Sequence, residues 1–104
     1  MTLDELFAIV EQRRAGDPST SYVAKSFAKG RAKLAQKVGE ESVETVIAAV
    51  AGDREAVIAE SADLLFHLTM LWAEAGIAPA EVMAALEGRR GTSGIDEKAS
   101  RRET

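Results

Sequence analysis

Glu41 and Glu44 stand three residues apart, and so do Glu60 and Asp63, in stretches whose apolar residues recur at helical spacing. On a helix such a pair shares one face and lies roughly 4.5 Å apart along the axis. Glu41 falls in the row of Leu34 and Val38, and Glu60 in the row of Val57 and Leu64. Where those rows face a core, two helices bring four carboxylates into a partly dry space. Negative charges do not stay there uncompensated, because desolvation and mutual repulsion both oppose them. They need cations, and an all-oxygen ligand set suits a hard divalent ion such as Mg2+. Ions held this way neutralise a polyphosphate and lower the pKa of a bound water, which is the equipment for hydrolysing a phosphoanhydride. Glu40 is adjacent and can join or orient the metal's shell, or act as base toward the attacking water. Lys37, one turn before Glu41, can contact a phosphate or pair with that acid.

Two long helices must hold these residues. The pattern predicts one from about Arg31 to Ala51, with Leu34, Val38, Val43, Val46, Ile47 and Val50 spread widely enough for cover on two sides. Gly39 inside it costs roughly 1 kcal/mol against alanine and so marks close packing or close ligand approach. Gly52 and Asp53 make the turn, with Asp53 as N-cap of a helix from about Arg54 to Ala75 that stops at Gly76. Thr2 and Glu5 read as the capping box of a first helix ending near Ala15. Gly16 to Thr20 is a loop, and a short helical piece runs from Ser21 to about Ala28. Pro79 opens a last helix with Val82, Met83 and Leu86 on its inner face. Trp72 and the methionines are expected in the core. The reading is all-α, a helical bundle centred on two long antiparallel helices.

With 104 residues the chain is one domain. The expected division is a helical domain over 1–90 and a polar tail over 91–104, whose lone large aliphatic is Ile95. Aromatics are only 5% of the chain, so its core is thin and burial against a second copy would add to it. A net charge of −4 argues against nucleic-acid partners but not against a small phosphorylated substrate held through metal. With no cysteine, disulfides, zinc–thiolate sites and cysteine nucleophiles are excluded. No uninterrupted apolar run of membrane-spanning length is visible, and the acidic N-terminus is unlike a signal peptide, so no membrane partner and a cytoplasmic location are expected.

Lys37-Val38-Gly39-Glu40-Glu41-Ser42-Val43-Glu44 and Glu60-Ser61-Ala62-Asp63-Leu64-Leu65-Phe66-His67-Leu68 together resemble the phosphoribosyl-ATP pyrophosphatases of histidine biosynthesis, within the MazG-like all-α nucleoside triphosphate pyrophosphatases. The segment from Ser21 to Gly30 is similar to that family's S-Y-T-A-K-L-F-x-x-G stretch. The segment from Ser93 to Arg101 is similar to its S-G-x-x-E-K-A-x-R tail. Val23, Ser26 and Phe66 depart from the usual threonine, leucine and tyrosine without touching the acids. The resemblance implies Mg2+-dependent hydrolysis of phosphoribosyl-ATP, with Glu41, Glu44, Glu60 and Asp63 as metal ligands, in a helical homodimer. Tyr22 and Lys25 are expected to line the substrate entrance, and Lys98 and Arg101, with Arg102, to fold over substrate phosphates. His67 is expected as a hydrogen-bonded core residue. The competing readings are a dNTP pyrophosphatase with the same acids, and a non-catalytic dimerisation module, for which the acids would be exposed and unpaired.

Overall fold

Helices begin where a short polar side chain can receive the first free amides. In the computed structural model, which describes residues 1–91, they are α1 (Leu3–Arg14), α2 (Tyr22–Ala28), α3 (Arg31–Val50), α4 (Arg54–Ala75) and α5 (Pro79–Glu87), with no strand among those residues. Thr2 Oγ1 accepts the Glu5 amide, Ser21 Oγ that of Ala24 and Asp53 Oδ1 that of Ala56, each at 3.1 Å. At α5 the Glu81 carboxylate accepts the Ala78 amide at 2.8 Å, and Pro79 fills a position whose amide has no helical partner. α4 closes on Gly76 at φ 73°, a conformation that glycine adopts without a Cβ clash. Lys98, Arg101, Arg102 and nearly all of the expected 91–104 tail lie outside the described residues.

The short turn at 51–53 folds α3 and α4 into an antiparallel hairpin, the main packing of the molecule. Its seam on α3 is Leu34, Val38, Glu41, Thr45 and Ala48, of which Leu34, Glu41 and Ala48 are buried and the other two half-buried. On α4 it is Val57, Glu60, Leu64, His67 and Leu71, with His67 buried and the rest half-buried. Both rows step by three and four residues, the spacing that keeps a stripe facing a neighbouring helix. A carboxylate occupies the middle of each.

The apolar core lies at one end of this hairpin. Val10 of α1, Val23 of α2, Leu34 of α3 and Met70 and Ala73 of α4 are buried together, with Phe7, Phe27, Phe66 and Leu71 packed against them. Arg14 ties the layers: its guanidinium lies 4.3 Å from the Phe27 ring centroid and donates to the Ala73 carbonyl at 3.2 Å. The far end of the hairpin has no such cover. Val43, Val46, Ile47 and Val50 on α3 and Ile58 and Leu65 on α4 are exposed, Val50 to 85%. Within one chain α3 therefore meets α2 and α4 near its start but has only α4 beside it toward the turn, where the sequence led us to expect cover on two sides.

Three further expectations are corrected. α5 packs mainly on α1, and of its expected inner face only Val82 is half-buried, while Met83 and Leu86 are exposed. Met70 is core, but Met1 and Met83 are exposed and Trp72 is half-buried. α4 is long and apolar enough to cross a membrane by length and composition alone. Its ionisable Glu60 and Asp63 and its seam with α3 account for it as the central helix of a bundle.

Gly39 is not explained by close packing, because a Cβ there would meet nothing within 4 Å. Gly39→Ala should therefore stabilise the chain by about 0.5–1 kcal/mol in denaturant unfolding. A destabilised variant would mean that another molecule or chain packs against this backbone.

Candidate metal centre

The seam position of Glu41 drives the chemistry of the site. It is 7% exposed, and Leu34 and Ala48 on the same stripe hold that face against α4. Opposite, Glu60 and Asp63 extend from successive turns of α4. One carboxylate oxygen from each of Glu41, Glu60 and Asp63 lies within 4.8 Å of the other two. Glu44 stands one turn along α3, close enough for its carboxyl to act on both Glu41 and Glu60. Thus the four acids from two helices meet, although Glu44 lies outside the tightest three.

Two atoms at this meeting point lack partners. Glu41 Oε2 and Glu60 Oε2 are buried without a hydrogen bond. A buried carboxylate oxygen left so costs the desolvation of a charged acceptor. Burial raises the Glu41 carboxyl above its ordinary value, and the Glu44 carboxyl and the Asp63 charge add to the rise. Glu60 is pushed up to about 7, first by its shared hydrogen bond with Glu44, then by burial and the Glu44 charge. Two orphaned hard oxygens among four clustered acids fit a divalent ion such as Mg2+. The dimerisation-module reading expected all four acids exposed; Glu44 and Asp63 are, but Glu60 is half-buried and Glu41 is buried.

Behind the acids, His67 is a buried hydrogen-bonded residue. The Asp63 carbonyl can only accept, so His67 Nδ1–H donates to it at 2.7 Å, which leaves Nε2 to accept from the Tyr22 hydroxyl at 2.8 Å. The Tyr22 ring meets His67 edge-on and is tilted against Phe66. One contact chain therefore runs from the backbone of a clustered acid to a residue on α2.

Tyr22 opens onto a chamber of about 640 Å3 between α2 and α3 whose charged lining is Lys25, Lys29, Lys33, Lys37 and Glu40. Lys37 pairs with Glu40 at 3.4 Å rather than with Glu41, and Glu40 also accepts from Gln36 Nε2 at 3.0 Å. The Gln36 hydrogen bond and then Lys37 draw the Glu40 carboxyl below its usual range, and Glu40 raises Lys37. Lys29, Lys33 and Gln36 were not singled out from the sequence. The signal was there, since lysines recur every fourth residue at 25, 29, 33 and 37. On the opposite side Glu44 and Glu60 border a second cleft of about 330 Å3 with Ile47 and Ala48, next to the bare end of the hairpin.

A sequence profile of the family described as phosphoribosyl-ATP pyrophosphohydrolase matches residues 3–90. A phosphoribosyl-ATP pyrophosphatase of Rhizorhabdus wittichii is 64% identical over 96% of this chain and 94% of its own. The enzymes of the same name from Novosphingobium aromaticivorans and Azospirillum brasilense are 61% and 60% identical, over 95% and 96% of this chain and 92% and 90% of theirs.

The raised carboxyls predict how stability depends on pH. Between the ordinary value of 4.5 and about 7, the folded chain holds a Glu60 proton that the unfolded chain has released. This group's contribution is therefore full below pH 4.5 and is lost as pH rises through about 7. A divalent ion removes that penalty, so Mg2+ should raise the Tm of chelator-treated protein more at pH 8 than at pH 5. Equal shifts at the two pH values would mean that the ion does not bind at these acids.

Proposed function

The chain belongs to the phosphoribosyl-ATP pyrophosphohydrolase family, and from that membership we propose that it hydrolyses phosphoribosyl-ATP to phosphoribosyl-AMP and pyrophosphate with Mg2+. This is the second step of histidine biosynthesis, and a cytoplasmic setting goes with that reading. The observation that carries it is the pair of buried, partnerless carboxylate oxygens on facing helices, Glu41 Oε2 and Glu60 Oε2.

Glu41, Glu44, Glu60 and Asp63 are the residues that would hold the metal. When bound, it supplies charge neutralisation for the polyphosphate and a lowered pKa for water. The rest of the work falls to side chains. In the net reaction water adds across one phosphoanhydride bond, pyrophosphate leaves with the bonding electron pair, and a proton is released. Glu40, kept ionised by Gln36 and Lys37, accepts hydrogen bonds only. Its lowered pKa makes it a weak base, better suited to orienting the attacking water than to keeping its proton. Lys37 offsets negative charge beside the bond that breaks. Tyr22 and Lys25 line the approach to the acids, and Tyr22 is fixed there by His67. Lys98 and Arg101 belong to the same reading as phosphate ligands.

A homodimer completes the proposal. The exposed row Val43, Val46, Ile47 and Val50 recurs at three- and four-residue steps beside Ile58 and Leu65, an apolar face too continuous for a lone hairpin to leave in water. A second copy seated there would border the cleft shared by Ile47, Glu44 and Glu60.

Pyrophosphate release from phosphoribosyl-ATP with Mg2+ should be fast, and slower from any dNTP. A dNTP preference would assign the chain to nucleotide clearance, and no release from any substrate would remove the enzymatic reading. Glu44→Gln and Glu60→Gln should each lower kcat at least 100-fold with helix content unchanged by circular dichroism. Sedimentation should give twice the chain mass, and Val46→Glu should shift it to one.

A further inference from the structure

The chamber between α2 and α3 holds more positive charge than hydrolysis at the acids requires. Four lysines face one glutamate there, in a chain whose net charge is −4. Glu40 pairs with Lys37 and also feels the Lys33 charge, while Lys33 donates to neutral Gln36 at 3.3 Å. Lys25 and Lys29 make no ion pair among the described residues. Unbalanced ammonium groups converging on one cavity repel each other, so the arrangement favours an anion between them.

The position of the chamber narrows the choice of anion. Lys33, Lys37, Glu40 and Glu44 form one row on α3, leading from the chamber to the acids. Lys33 is eight residues before Glu41, about 12 Å along the axis. Lys29 lies further out, at the end of α2. A ligand with a second anionic group, separated from a triphosphate by rings, can span the distance, and about 640 Å3 accommodates a sugar phosphate.

We propose that Lys29 and Lys33 bind the second phosphate of the substrate, the monoester of its phosphoribosyl group, and so distinguish phosphoribosyl-ATP from ordinary nucleoside triphosphates. This rests on the function proposed above, which supplies a substrate with two anionic ends. Lysines suit a terminal phosphate because each offers a mobile point charge with three donors. The specificity this creates is for the second phosphate, whatever the nucleobase.

The test compares phosphoribosyl-AMP with AMP, which differ only in the phosphoribosyl group. Their affinities for the full chain with Mg2+ are measured by calorimetry. Neither ligand needs to be hydrolysed, so the comparison is read whether or not the protein releases pyrophosphate from phosphoribosyl-ATP. Failure of that assay overturns the proposed function, while the affinity ratio decides the chamber. The wild-type chain should prefer phosphoribosyl-AMP. The double variant Lys29→Gln/Lys33→Gln should cut that preference at least 10-fold, and Lys29→Arg/Lys33→Arg should restore most of it. Both positions are exposed, so unchanged circular dichroism is expected. The proposal is overturned by a wild-type chain without preference, by a double variant that weakens both ligands by the same factor, or by one that loses inorganic pyrophosphate instead.

Discussion

Carboxylates placed in the middle of a helix–helix seam are the constraint from which the rest of this molecule follows. Glu41 and Glu60 occupy positions that leucine or valine would fill in an ordinary hairpin. Apolar packing on either side fixes the helices, so the acids cannot separate to relieve their repulsion. Protonation or a cation relieves that repulsion, and both the Glu41 and Glu60 carboxyls are raised above their ordinary values. The seam gives up hydrophobic stabilisation at these positions and gains a site poised to take up positive charge.

That concession explains how the hairpin is divided. Its upper part is secured by Val10, Val23, Leu34 and Met70, which bring α1 and α2 against the open ends of α3 and α4. Its lower part, from the acids to the turn at 51–53, carries an uncovered apolar row. The acid cluster lies between a region with a packed core and a region whose apolar side chains stay exposed. Rigid support on one side and an open cleft on the other suit a site that must hold ligands in register while a substrate enters.

The charge distribution follows the same axis. Acids gather at the seam, while lysines gather around the α2–α3 chamber, with Lys37 and Glu40 paired where the two meet. His67 and Tyr22 join the regions structurally, since the ring accepts from one and donates to the carbonyl of Asp63. The molecule thus sets a region of clustered carboxylates beside a region rich in ammonium groups.

Much of this was legible in the chain itself. Thr2, Ser21, Asp53, Gly76 and Pro79 act locally, through caps and turns that need no distant partner, so the helix boundaries could be read closely. The i,i+3 acids in step with apolar rows marked the seam, because helical periodicity is a property of consecutive residues. The α2–α3 chamber was not legible as a cavity, even though its lysines recur every fourth residue, since nothing local says that α2 folds back beside α3. Nor was it legible that Met83 and Leu86 would stay exposed, that Gly39 would face open space, or that Glu41 and Glu60 would each bury an oxygen without a partner. Sequence by itself determined which residues share a helix face, because that depends on the 3.6-residue turn alone. Tertiary structure decided which faces meet, because burial and charge repulsion arise only when one helix is laid against another.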